Sequence, residues 1–111
     1  MLNNPPTNYV QRGEVIDIKN SGGLPIRTGT VVNLTTRIGI AAADTPVGQI
    51  GGVHVIGIFD IPAVTTEAFT VGQEVYWNGA YITSNTTSTI PAGWIVEPKT
   101  TSKAIARVKI G

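Results

Sequence analysis

Apolar and polar residues alternate along this chain in short runs, each soon interrupted by glycine, proline or asparagine. A period of two bounded by such residues predicts strands rather than helices. Residues 14–19 (Glu-Val-Ile-Asp-Ile-Lys) predict a first strand, stopped by Asn20-Ser21-Gly22-Gly23, a strong turn signal. Residues 30–34 and 37–41 predict two more, the latter ended by Asp44-Thr45-Pro46. Residues 52–61 are apolar on both faces. They predict one long strand that is central in its sheet or lies at a subunit contact. Val53, His54, Val55, Ile56, Ile58 and Phe59 are therefore the candidate core or interface residues. Pro62 then ends pairing on one side.

Residues 65–69 predict a single helical turn with Thr66 as its cap. Residues 74–77 and 80–83 flank Asn78-Gly79 and predict a hairpin, because a type I′ turn needs positive φ at both central residues. After a polar loop at 84–89, residues 93–97 and 103–110 predict the last strands. In the final one Ala104, Ala106, Val108 and Ile110 share one face, with Lys103, Arg107 and Lys109 on the other. Ile105 interrupts the charged side and hints at a contact there.

One local pattern recurs. Ile26-Arg27-Thr28-Gly29-Thr30-Val31-Val32 resembles Phe69-Thr70-Val71-Gly72-Gln73-Glu74-Val75, with weaker versions at 47–50 and 91–95. Each reads as an apolar residue, a tight turn holding glycine, then a strand. The spacing is irregular, so the recurrence predicts punctuation and not a solenoid.

Composition sharpens the same picture. Among 111 residues stand 14 Ile, 12 Val and 15 Thr against 3 Leu and 1 Met, a choice of stiff β-branched side chains that suits pleated sheets. The expectation is an all-β domain of about ten short strands, a small barrel or a sandwich, over residues 9–111. Residues 1–8 read as an extended arm, since Pro5-Pro6 among asparagines disfavours helix and sheet. Either that arm orders on a partner or it is a frayed terminus.

The start of the chain lacks a signal peptide's charged and apolar regions, and no apolar run is long enough to cross a bilayer as a helix. There is no cysteine, so disulfides and thiolate metal sites are excluded. Net charge is +1 with 14% charged residues. That is too neutral to follow a phosphate backbone and low for a free monomer's surface. Such a surface suits a protein covered by neighbours.

Catalytic equipment is scarce. His54 is the only histidine and sits among Val and Ile, without a recognisable nucleophile and orienting acid. With Asp60 it offers only two metal ligands. The seven carboxylates are scattered. Gly48-Gln49-Ile50-Gly51-Gly52 lacks the lysine and the helix of a phosphate loop. Lys99, Lys103, Arg107 and Lys109, with Tyr76, Trp77 and Tyr81, are the one set that resembles a single-strand nucleic-acid platform, but consecutive aromatics in a strand face opposite ways. The residues thus point to no enzyme, no cofactor, no metal and no small-molecule substrate.

The order of motifs resembles a family of short proteins from the head-gene region of tailed phages and prophages. The resemblance rests on Tyr9-Val10-Gln11 through Asp17, Asn20-Ser21-Gly22-Gly23, Thr28-Gly29-Thr30-Val31-Val32, Ile38-Gly39-Ile40-Ala41, Pro46-Val47-Gly48-Gln49-Ile50-Gly51, the run 55–63, the run 71–79 and the close at 104–110. Members are often labelled recombinase-like, a label that the missing ATP loop does not support. The resemblance implies instead a capsid decoration, or cement, protein. That implies a homotrimer on the outside of the expanded head, binding the major capsid protein and stabilising the shell, with neither nucleic acid nor membrane as partner. Asn3, Asn4, Pro5, Pro6, Thr7, Asn8 and Tyr9 would then be the capsid-binding arm. Another phage structural role, such as a spike or fibre base or a head–tail component, is the alternative, followed by a single-stranded nucleic-acid-binding barrel.

Overall fold

The computed structural model describes residues 8–111. Of the expected arm, Asn3, Asn4, Pro5, Pro6 and Thr7 lie outside the described residues, while Asn8 and Tyr9 are exposed and outside any strand. The described residues contain no helix. They form nine strands: β1 (Val15–Lys19), β2 (Val31–Asn33), β3 (Ile38–Ala41), β4 (Ile50–His54), β5 (Gly57–Pro62), β6 (Glu74–Trp77), β7 (Ile82–Thr83), β8 (Ile90–Ile95) and β9 (Ile105–Ile110). Two antiparallel sheets result, ordered β1-β4-β3-β2 and β5-β9-β8-β6-β7. Of the two expected architectures, this is sandwich-like. A single parallel bridge between Ala63 and Ile82 ties the continuation of β5 to β7, without making a closed barrel.

The core lies between the sheets. Ile38 and Ile40 of β3 pack with Ile61, Phe69, Val75, Ile82, Ile95, Val108 and Ile110 from the second sheet and its connections. The alternation of β9 supplies Ala106, Val108 and Ile110 to this core and leaves Ile105 and Arg107 exposed, as its sequence pattern requires.

Three expectations need correction. The apolar run 52–61 is not one strand. The chain leaves the first sheet after His54 and enters the second at Gly57, whose φ of 147° is open to glycine and strained for other residues. A run apolar on both faces here marks a crossing between layers. It puts β4 inside its sheet but β5 at an edge, where Pro62 is tolerated. Residues 65–69 form no helical turn. Thr65 and Thr66 make a turn, and Phe69 is drawn into a bridge with Lys99, N–H to C=O in both directions at 2.9 and 3.0 Å. The hairpin exists, but Trp77 pairs with Ile82. A two-residue turn would pair it with Ala80. The Asn78 carboxamide oxygen accepts the Ala80 and Tyr81 N–H groups at 2.9 and 2.8 Å, which stabilises a four-residue loop instead.

The recurring turn proves to be the corner of an internal repeat. Replacing β1, β4, β3 and β2 by β5, β9, β8 and β6 converts the first sheet order into the second, with β7 added beyond β6. The registers agree. Val31 opposite Ile40 and Val32 opposite Gly39 match Glu74 opposite Trp94 and Val75 opposite Gly93. Ala41 opposite Val53 matches Ile95 opposite Val108. The corners agree too. The bridge between Ile26 and Thr45 matches that between Phe69 and Lys99. Gly29 donates to the Ala41 carbonyl, and Gly72 to that of Ile95, both at 2.8 Å. Four such turns place Gly29, Gly48, Gly72 and Ser102 at φ between 81° and 89°. The serine hides the fourth corner from a search for glycine. The expected weaker copy at 91–95 is not a corner at all but lies within β8. The spacing is irregular because the second half carries β7 and its loops as an insertion.

Gly72 has φ of +89° with open space where a Cβ would stand, so the left-handed backbone alone penalises a side chain there. Gly72→Ala is expected to lower the unfolding free energy by about 1–2 kcal/mol. Gly23→Ala, where neither strain nor contact arises, is expected to change it by less than about 0.5 kcal/mol. Urea denaturation of the two variants beside the parent checks both.

Candidate functional site

The six residues expected to form a core or interface patch do not stay together. Val53 is buried in the core. His54 and Phe59 meet across the crossing, their ring centroids 5.7 Å apart. Both line a cleft of about 320 Å³ between the sheets, beside Val31, Ile40, Asp60 and Ile61. Val55 donates its N–H to the Glu14 carbonyl at 2.9 Å. Only Ile56 and Ile58 face outward, 46% and 58% exposed.

Ile58 belongs to a larger surface, the outer face of the second sheet. Cross-strand pairing sets Ile58 beside Lys109, Lys109 beside Trp94 and Trp94 beside Glu74. A second row pairs Asp60 with Arg107, and a third Pro62 with Ile105. Trp94 and Ile105 are 40% and 49% exposed. The face therefore sets Ile58, Trp94 and Ile105 among the charged Asp60, Glu74, Arg107 and Lys109; of these, the aromatic and the arginine are the types enriched at interfaces. Ile105 was legible as the apolar intruder in a charged row. Trp94 was not, because the strand around Gly93 and Trp94 gave no clean alternation.

At the centre of this face Arg107 is held on two sides. Its Nε and one terminal nitrogen donate to the two Asp60 oxygens at 2.9 and 3.1 Å, and the other donates to Glu97 at 2.7 Å. The fork matches a carboxylate's geometry, so Arg107 is oriented before any partner arrives. The guanidinium hydrogen bond holds Asp60 below the usual carboxylate range, and the Asp60 carboxylate raises Arg107 further.

Lys99 does not join the expected basic face. It is buried beneath the loops, its ammonium donating to the Glu67 carbonyl at 2.6 Å and the Thr100 carbonyl at 3.3 Å. The ammonium also lies 5.2 Å from the Phe69 ring centre, within reach of the ring's negative face. The Glu67 carboxylate accepts from the Thr83 hydroxyl at 2.6 Å, from the Ser84 N–H at 2.8 Å and from the Ser84 hydroxyl. Partial burial is the largest influence on Glu67 and opposes its charge. The hydrogen bonds from Ser84 and Thr83 together with Lys99 outweigh it and lower the pKa. With Lys99 buried and Arg107 engaged, Lys103 and Lys109 remain of the four expected cations. That is too few to track a phosphate backbone. Tyr76 and Trp77 are half-buried, and Trp77 packs against the core. Among the described residues no three His, Asp or Glu side chains gather as a metal site would need.

A family model described as phage cement protein matches residues 10–110. No curated protein and no solved structure matches the chain.

Two outcomes follow from the buried Lys99 and the half-buried Glu67. Lys99→Met removes the donor from two carbonyls and leaves Glu67 without its cation. It is expected to lower stability by about 1–3 kcal/mol in urea denaturation. Glu67 has a folded-state pKa below the 4.5 of the free side chain. The unfolded chain therefore takes up its proton first, and the stabilisation is complete above that value and fades as pH falls through the folded value. Glu67→Gln is expected to flatten this part of the acid limb when melting temperature is followed from pH 7 to pH 3.

Proposed function

The chain belongs to the phage cement protein family, and on that premise we propose that it binds the outside of the expanded phage head as a homotrimer and stabilises the shell. The family places it on the virion capsid surface, in a structural role. The match over residues 10–110 is the observation that carries the reading, because it spans the repeat, its insertion and both sheets.

The physics of the chain supports the finer parts. An expanded shell resists the outward pressure of packaged DNA only as well as its subunits hold together. A ligand that binds the assembled state alone adds its binding free energy to that state. Three linked contacts raise avidity well beyond one. The outer face of the second sheet, with Ile58, Trp94 and Ile105 around the fixed Arg107, is the contact proposed for the major capsid protein. The arm from Asn3 to Tyr9 is proposed as a second contact, adding an extended segment to a sheet edge of that protein. The low charge of the chain favours close apposition with neighbours.

In equilibrium sedimentation the protein is expected at three times its 11.7 kDa chain mass. It is expected to co-sediment with expanded capsids that lack the decoration protein and not with unexpanded ones. The double variant Ile58→Asp, Trp94→Ala should weaken that binding at least tenfold, and so should deletion of residues 1–8. A parent chain that ignores expanded capsids would end the decoration reading. Undiminished binding by either variant would remove that contact from it.

A further inference from the structure

The repeat exposes a vacancy in the first half. In the second half, β7 lies between β6 and the segment that follows β5. Tyr76 and Trp77 pair with it on one side. On the other, Ala63 bridges to Ile82 and the Val64 N–H donates to the Ile82 carbonyl at 3.0 Å. Ile82 is fully buried there. The first half has no counterpart of β7 among the described residues. At the corresponding place, between β2 and residues 20–27, lies a groove of about 480 Å³. Leu24, Pro25, Ile26, Val31 and Val32 form its apolar lining.

The adjoining edge is ready to pair. Leu34 and Thr30 bond to Arg37 and Ala41 across the first sheet. By antiparallel alternation, Val31 and Asn33 then turn their N–H and C=O groups outward. Asn33 stands where Tyr76 stands in the second half, and Tyr76 is paired with Thr83 of β7. The second half thus shows what covers such an edge: a short extended segment with a β-branched residue at its centre.

Among the described residues one apolar segment near the start of the chain stands outside any sheet. Tyr9 and Val10 lie outside any strand, 82% and 86% exposed. Two consecutive apolar residues in water are a liability that a partner relieves. They do not occupy their own groove. We propose that the segment around Val10 of one copy inserts beside β2 of the next, with Val10 in the position that Ile82 holds in the second half and the arm before it left to the capsid protein. This rests on the homotrimer reading and states how the copies join: each chain gives one strand and receives one, head to tail, around a closed ring.

Val10 is exposed within its own chain, so its substitution leaves the fold intact. Val10→Asp is expected to sediment at one third of the parent's mass with an unchanged far-ultraviolet spectrum. The chain has no cysteine, so the variant Val10→Cys, Leu24→Cys reports directly. Oxidation is expected to give dimer and trimer bands on a non-reducing gel. A Val10→Asp protein that stays trimeric overturns the exchange while leaving the homotrimer standing. If that trimer also loses expanded capsids, the segment binds the capsid protein and the exchange is again overturned. Cross-links confined within single chains would show that each segment fills its own groove, which also overturns it. A monomeric parent overturns both the exchange and the trimer.

Discussion

A β-sheet ends in two strands whose outward N–H and C=O groups have no partner within the sheet, and those groups must be met by water or by another strand. Much of this molecule is arranged around that constraint. The second sheet meets it in part, because β7 covers β6 and the Ala63–Ile82 bridge links β7 to the continuation of β5, although β5 itself stays an edge. The first sheet does not: β1 and β2 remain edges among the described residues. The edge that β7 covers in the second half is left open at the same place in the first. For a protein whose family works at a capsid surface, that asymmetry is as informative as any side chain.

The repeat also explains where stability is fastened. Each half closes its corner with one buried polar residue at the same place in the bridge, Thr45 in the first and Lys99 in the second. In the first, the Asn20 amide ties the Thr45 and Leu24 carbonyls together. In the second, Lys99 ties the Glu67 and Thr100 carbonyls, and the Glu67 carboxylate holds the loop after β7. The insertion that distinguishes the halves is thus secured where the corner carries the charged groups Glu67 and Lys99.

Much of the fold was legible in residue order. Alternation in 105–110 named its buried face, and the stretches 14–19 and 74–77 fell within a residue or so of β1 and β6. What failed did so for nameable reasons. A run apolar on both faces reads as one central strand or as a crossing between layers, and periodicity does not separate them. Gly57 was the missed signal. Lys99 looked like a surface cation because charge is visible in a sequence and burial is not. The repeat was half visible, since Gly29 and Gly72 announced two corners. Ser102 and the β7 insertion concealed that the corners belong to one plan. The outer face was the least legible part, because it assembles Ile58, Trp94 and Ile105 from three strands that meet only through sheet order.

The β7 insertion has a further consequence, which concerns handedness of connection. Two equal halves with equal open edges would give the chain a valence that permits face-to-face pairing or endless sheet growth. Covering β6 but not its counterpart β2 breaks that equivalence and gives the chain a direction. Directional units of this sort either close into rings or grow as filaments, and only the angle between successive units decides which. A few residues of extra strand thus remove one open edge of this kind, and with it some of the ways in which copies could stack into a growing sheet.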